Sequence, residues 1–145
     1  MIANLAYVAQ AVGISTLILD MDLRGRGMSL LFPQDINPEE NYYTNGISNA
    51  MRSPYAYTDF TWEVTDTLSI LGMDISVGDI AMHEDVLDNA KLAKLLAVVR
   101  TQHDLVLIDM PVHKLKDFGC AVSLADRIAY VTENDVSSLV NIINN

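Results

Sequence analysis

The sequence is poor in the features that define several large protein classes. It has one cysteine, one tryptophan and four prolines in 145 residues, and nine Lys and Arg against nineteen Asp and Glu. A lone cysteine, Cys120, has no internal disulfide partner, which suits a reducing cytosol and excludes a disulfide-stapled secreted fold. Beside Ala121 and Val122, Cys120 reads as a small buried apolar residue. The net charge is −10. Such a surface repels phosphate backbones, so neither nucleic-acid nor anionic-membrane binding is expected of this segment. No run reaches the roughly 18 uncharged apolar residues of a membrane span. The opening residues, MIANLAYVAQAVG, lack the basic region and cleavage site of a secretory signal, so a cytoplasmic location is expected. Three scattered histidines (His83, His103, His113) lack the spacing of a zinc cage.

What is present is apolar and patterned. Half the residues are hydrophobic, enough for the core of one ordinary domain. Ile2, Leu5, Ala6, Val8, Ala9 and Val12 recur at helical spacing, and Gly13 is a natural helix stop. Ser15–Asp20 (STLILD) is a nearly continuous apolar run, as is Leu105–Ile108 within HDLVLIDMP. Runs of this kind suit parallel strands buried on both faces. Asp88–Arg100 is the clearest helix, with Leu87, Leu92, Leu95, Leu96 and Val99 in one stripe. Shorter elements are expected at Met28–Phe32, Gly46–Met51, Leu68–Leu71, Ile75–Val77 and Ala121–Asp126. A strand is expected over Arg127–Thr132, then a helix from Asp135 or Val136. Strand–helix alternation of this rhythm predicts an α/β fold, a mainly parallel sheet with helices on both faces. The chain opens in a helix with no capping residue ahead of it and stops in a starting one. Residues 1–145 are therefore expected to form a single, partial domain.

In such sheets ligands bind beyond the carboxyl ends of the strands. Two strands end there in acids: Asp20 and Asp22 after LIL, and Asp109 after LVLI. A carboxylate closing a buried apolar strand is costly unless a cation or hydrogen bonds compensate it. The plainer reading is that each caps the following loop or helix. Asp126, at a helix-to-strand junction, is read as such a local cap. A phospho-acceptor receiver also pairs acids at strand ends, but VTEND offers Glu133 and not the lysine such a site needs.

Three blocks carry a family likeness. NLAYVAQAVGISTLILDMDLRGRGMSLLF is similar to the stretch after the phosphate loop in the MinD/ParA superfamily of deviant Walker ATPases. HDLVLIDMP resembles their Walker B strand, and SLADRIAYVTENDVSSLVNIIN the unit that follows it. The last two blocks lean toward the TadZ/CpaE-like pilus-localisation and MinD branches, while DLR is also similar to bacterial tyrosine kinases. The resemblance implies a P-loop NTPase-like fold with ATP and Mg2+ as cofactors. It implies a homodimer that ATP favours and hydrolysis releases, with protein partners in a positioning system. Residue by residue, it gives Asp22 the role of orienting the attacking water. Asp20 matches the partner of Asp22, close to the magnesium shell, and Asp109 the aspartate that holds magnesium through water. The family's KGGxGKT loop has no counterpart: GRG at 25–27 is followed by no Lys-Ser/Thr. No intact nucleotide-binding loop is therefore assigned within the chain, and the loop is expected ahead of Met1. The alternative is a non-catalytic scaffold of the same fold. The tyrosine-rich 34–60 segment suits a recognition surface, or equally packs back on the domain.

Overall fold

The computed structural model describes residues 1–22, 28, 31–32, 46–72, 88–111 and 118–131. Helix α1 (Ile2–Ala11) leads into strand β1 (Thr16–Asp20). Helix α2 (Gly46–Arg52) and a 3-10 segment (Pro54–Phe60) precede strands β2 (Trp62–Thr65) and β3 (Leu68–Leu71). Helix α3 (Asn89–Val99), strand β4 (Leu105–Asp109) and helix α4 (Gly119–Leu124) complete the described elements.

The strands form one sheet in the order β2-β3-β1-β4. β1 runs parallel to both β3 and β4, and β2 returns antiparallel to β3. β1 is buried along its whole length, as its unbroken apolar run requires. Its side chains alternate between two cores. Leu17 and Leu19 join Leu71, Ile47, Met51, Leu92, Leu95, Leu96 and Val99 on the face covered by α2, α3 and α4. Ile18 joins Ala3, Ala6, Leu68, Ile70 and Phe32 on the face covered by α1. Helices therefore lie on both faces of a mostly parallel sheet, as the pattern predicts.

Two helix boundaries follow from local chemistry. The Asp88 carboxylate accepts from the Lys91 amide at 2.8 Å and starts α3 one residue later than its apolar stripe suggests. Leu87, placed in that stripe from sequence, lies outside the described residues. At the end of α1, Gly13 has φ 77. Its amide bonds to Gln10 O and that of Ile14 to Ala9 O, the paired closure for which a left-handed glycine is suited.

Three expectations are corrected. The buried face of α1 is Ala3, Ala6 and Ala9, whereas Leu5, Val8 and Val12 are exposed by 47%, 66% and 69%. The small residues let the helix lie close on the sheet, and the larger ones form an outward stripe. Residues 127–131 adopt no strand, and Ile128, Tyr130 and Val131 are at least half exposed. Nothing pairs with them, because β4 ends the sheet on that side among the described residues. Asp126 is exposed and makes no capping bond among the described residues. Thr132, the expected strand at Ile75–Val77 and the helix from Asp135 or Val136 lie outside the described residues. Cys120 is half-buried against the α3 core, with its amide bonded to Asn89 Oδ1.

Gly46 marks the tightest approach. A Cβ there would stand 2.7 Å from Gly72 O and 3.0 Å from Phe60 O. Alanine in a helix gains about 1 kcal/mol over glycine, but forcing backbone apart costs about 1–3 kcal/mol. Gly46→Ala is expected to lower stability, and Gly119→Ala, where nothing lies within 4 Å, is not. Urea midpoints for the two variants check this; equal midpoints would remove the close approach as a constraint.

Candidate functional site

Parallel pairing brings the strand-end acids together. β1 and β4 are in register from Thr16↔Leu105 to Asp20↔Asp109, and adjacent strands lie about 4.8 Å apart. Met21 N–H donates to Asp109 O at 2.9 Å, which locks the ends of the two strands. Asp22 follows two residues on, and its amide donates to Asp20 Oδ1 at 3.0 Å. Gly72, just past β3, borders the site: a Cβ there would meet Asp20 Cβ at 3.6 Å. All three acids expected from sequence thus stand at one edge, beyond the carboxyl ends of the strands.

Their electrostatics follow from burial and crowding. Asp20 is 8% exposed, and its carboxyl is pushed up to about 7. Desolvation is the main cause, the Asp22 amide opposes it, and the charges of Asp109 and Asp22 add to it. Asp109 is also raised, first by burial and then by Asp22. The amino group at the head of α1 pulls Asp109 the other way, so this helix begins at the acid edge. Its N-terminus carries no side-chain cap. The positive end of the helix dipole therefore lies beside the acids, an arrangement that favours an anion.

Two neighbouring carboxylates are too few to hold most metals unaided. Among the described residues no group of three or more His, Cys, Asp or Glu could hold a metal ion. Magnesium takes one or two carboxylates and fills its remaining positions with water and phosphate oxygens. A buried acid beside a second carboxylate, near a helix N-terminus, meets that requirement when phosphate is present.

The outer edge of β4 is the second element of the site. Leu105 N–H bonds to Ser15 O, and Asp109 O accepts from Met21. Backbone groups alternate sides along a strand, so residues 105, 107 and 109 face β1, and Val106 and Ile108 turn theirs outward. Every residue of β4 is partly exposed.

The fold, a mostly parallel α/β sheet with helices on both faces, is shared with a protein of known structure. A crystal structure of a ParA family ATPase from Chlorobium tepidum TLS superposes with a TM-score of 0.74 over 97% of this chain, at 16% identity. This chain spans 57% of the length of that protein. The family model of cellulose biosynthesis protein BcsQ matches residues 1–144, and the chain belongs to that family. No curated protein matches. Neither match bears on the TadZ/CpaE-like branch.

The pH response of Asp20 can be measured. A rise from 3.8 to about 7 corresponds to roughly 4 kcal/mol of preference for the neutral carboxyl. The folded state then holds a proton that the unfolded chain has lost, so between about pH 4 and 7 this group's contribution falls as pH rises. Asp20→Asn keeps the acceptor for the Asp22 amide and cannot ionise. In magnesium-free buffer it is expected to gain on the order of 2–4 kcal/mol over wild type at pH 8 and less than half of that at pH 5. Denaturant unfolding at both pH values tests this, and a constant difference would contradict it.

Proposed function

We propose that this chain is the central part of a single ParA/MinD-like nucleotide-binding domain that acts in cellulose biosynthesis as an ATP-dependent dimerising switch. The role in cellulose biosynthesis comes from the family's name. The observation that carries the nucleotide reading is the in-register pairing of Asp20 with Asp109, with Asp22 beside them and the N-terminus of α1 at the same edge. In this reading Asp109 and Asp20 support magnesium, and Asp22 orients the attacking water. Magnesium, when bound, supplies charge neutralisation on the transferring phosphate. The chain's own contribution is position: two strands hold the acids, and the head of α1 offers amides to phosphate.

No Gly-Lys pair occurs in these 145 residues, so this reading needs a lysine-bearing loop from outside them. The outward amides of β4 are the natural seat for the strand that carries it. The apolar 127–131 segment would lie on that strand's far side. A homodimer with further protein partners, in the cytoplasm, completes the proposal. Among the described residues no helix is long and apolar enough to cross a membrane. A second reading, favoured by the absence of Gly-Lys, is a scaffold of the same fold that binds partners but no nucleotide.

Residues 1–145 alone are expected to bind MgATP only weakly and to hydrolyse none measurably, because they include no glycine-rich backbone cradle for phosphate. Micromolar binding by calorimetry would refute this. In a protein that joins this segment to a phosphate loop, Asp22→Ala is expected to abolish turnover and spare ATP binding, since water positioning acts in the transition state. Asp109→Ala is expected to weaken magnesium-dependent binding. Unchanged turnover in both variants would favour the scaffold.

A further inference from the structure

Three segments meet at the opposite end of the sheet, around His103. The ring follows α3 and leads into β4, and both of its nitrogens are engaged. Nε2 lies 2.9 Å from the Tyr57 hydroxyl and Nδ1 lies 3.1 Å from Ser15 Oγ. Ser15, at the mouth of β1, also donates its amide to Asp104 Oδ2 at 3.1 Å. Tyr57, on the 3-10 segment, is 2% exposed and belongs to the core beneath α2 and α3. Its ring stands near edge-on to the imidazole, with centroids 5.9 Å apart.

A neutral imidazole has one donor and one acceptor, so it satisfies one hydroxyl of each kind. A phenol is the stronger acid of the two. Tyr57 O–H therefore donates to Nε2, and Nδ1–H donates to Ser15 Oγ. A second proton on the ring makes both nitrogens donors. The phenol must then turn its hydrogen away, and among the described residues it has no other acceptor. A buried hydroxyl left without an acceptor is costly.

We propose that His103 is a proton-controlled clasp: neutral, it fastens the Tyr57 segment to the turns that feed β1 and β4, and protonated, it lets that segment go. The groups facing the ring are Ser15 from the turn ahead of β1, Tyr57 from the 3-10 segment and Asp104 from the turn ahead of β4. Burial holds the ring below its ordinary value, and the nearby charge of Asp104 opposes that without overcoming it. The unfolded chain therefore takes up the proton first as pH falls. The clasp is at full strength above about pH 6.5 and is lost as pH drops through the lower, folded value.

The clasp reaches beyond its own end of the sheet. The 3-10 segment packs on α2, whose Ile47 amide bonds to Gly72 O beside Asp20. Loosening the Tyr57 segment thus frees the unit that borders the acids. This rests on the His103 contacts alone and holds whether or not the acid edge binds nucleotide.

Amide hydrogen exchange across residues 54–61, corrected for intrinsic rate, tests the clasp between pH 7.5 and 5.0. Wild-type protection is expected to fall about tenfold or more over that range. His103→Gln is expected to show no such fall, and Tyr57→Phe to show low, pH-independent protection. An unchanging wild type, or an equal fall in His103→Gln, would overturn the proposal. Imidazole NMR on the wild type decides the matter without relying on any variant. It should report the Nδ1–H tautomer at pH 7.5 and a titration midpoint matching the loss of protection. An Nε2–H tautomer, or midpoints about one pH unit apart, would overturn it equally.

Discussion

The parallel register between β1 and β4 is the constraint on which the rest depends. It sets Asp20 opposite Asp109, sends Leu17 and Leu19 to one core and Ile18 to the other, and fixes which amides of β4 face outward. A slip of one residue would exchange the two faces of β1 and bury the wrong set against α1. The packing of the helices on both faces therefore enforces the alignment of the acids. Asp20 is buried because the strand that carries it is buried, and its altered acidity is a by-product of the fold before it is a property of any site.

The uncovered features form a second group with a common origin. Leu5, Val8 and Val12 of α1 and Ile128, Tyr130 and Val131 are apolar and exposed, and the apolar residues of β4 are partly exposed. A single exposed leucine means little. Here a strand composed like a central one stands at an edge, and α1 packs across β1 and β4 with a bare outer stripe.

The parts legible in the sequence were those in which local pattern and tertiary demand agree. The limits of α1, the β1 and β4 runs and the α3 stripe were readable because each buries a repeating set of residues. The strand-end acids were readable because charge after a buried run is physically anomalous. The outward stripe of α1 was not, since periodicity identifies an apolar face without saying whether alanines or larger residues turn inward. The segment 127–131 has strand composition, but a strand also needs a neighbour, which composition does not supply. Strand β2 (WEVT) is too short to show a period. The contacts of His103 left no trace, because Ser15 and Tyr57 lie 88 and 46 residues away along the chain.

The two ends of the sheet respond to protons in opposite senses. Below about pH 7 the fold gains from a neutral Asp20 at one end, and below about pH 6.5 it loses because the unfolded chain takes up a proton that buried His103 resists. Near pH 6 these slopes oppose, so a global unfolding curve can look flat while each end changes. A cation at the acid edge would stabilise the ionised form of Asp20 and remove the first slope, leaving the second exposed. Stability that turns pH-dependent only when magnesium is present would then report occupancy of the acid edge through a histidine at the far side of the sheet. The packing of the 3-10 segment on α2, and of α2 against Gly72, supplies the physical route by which the two ends can also sense one another directly.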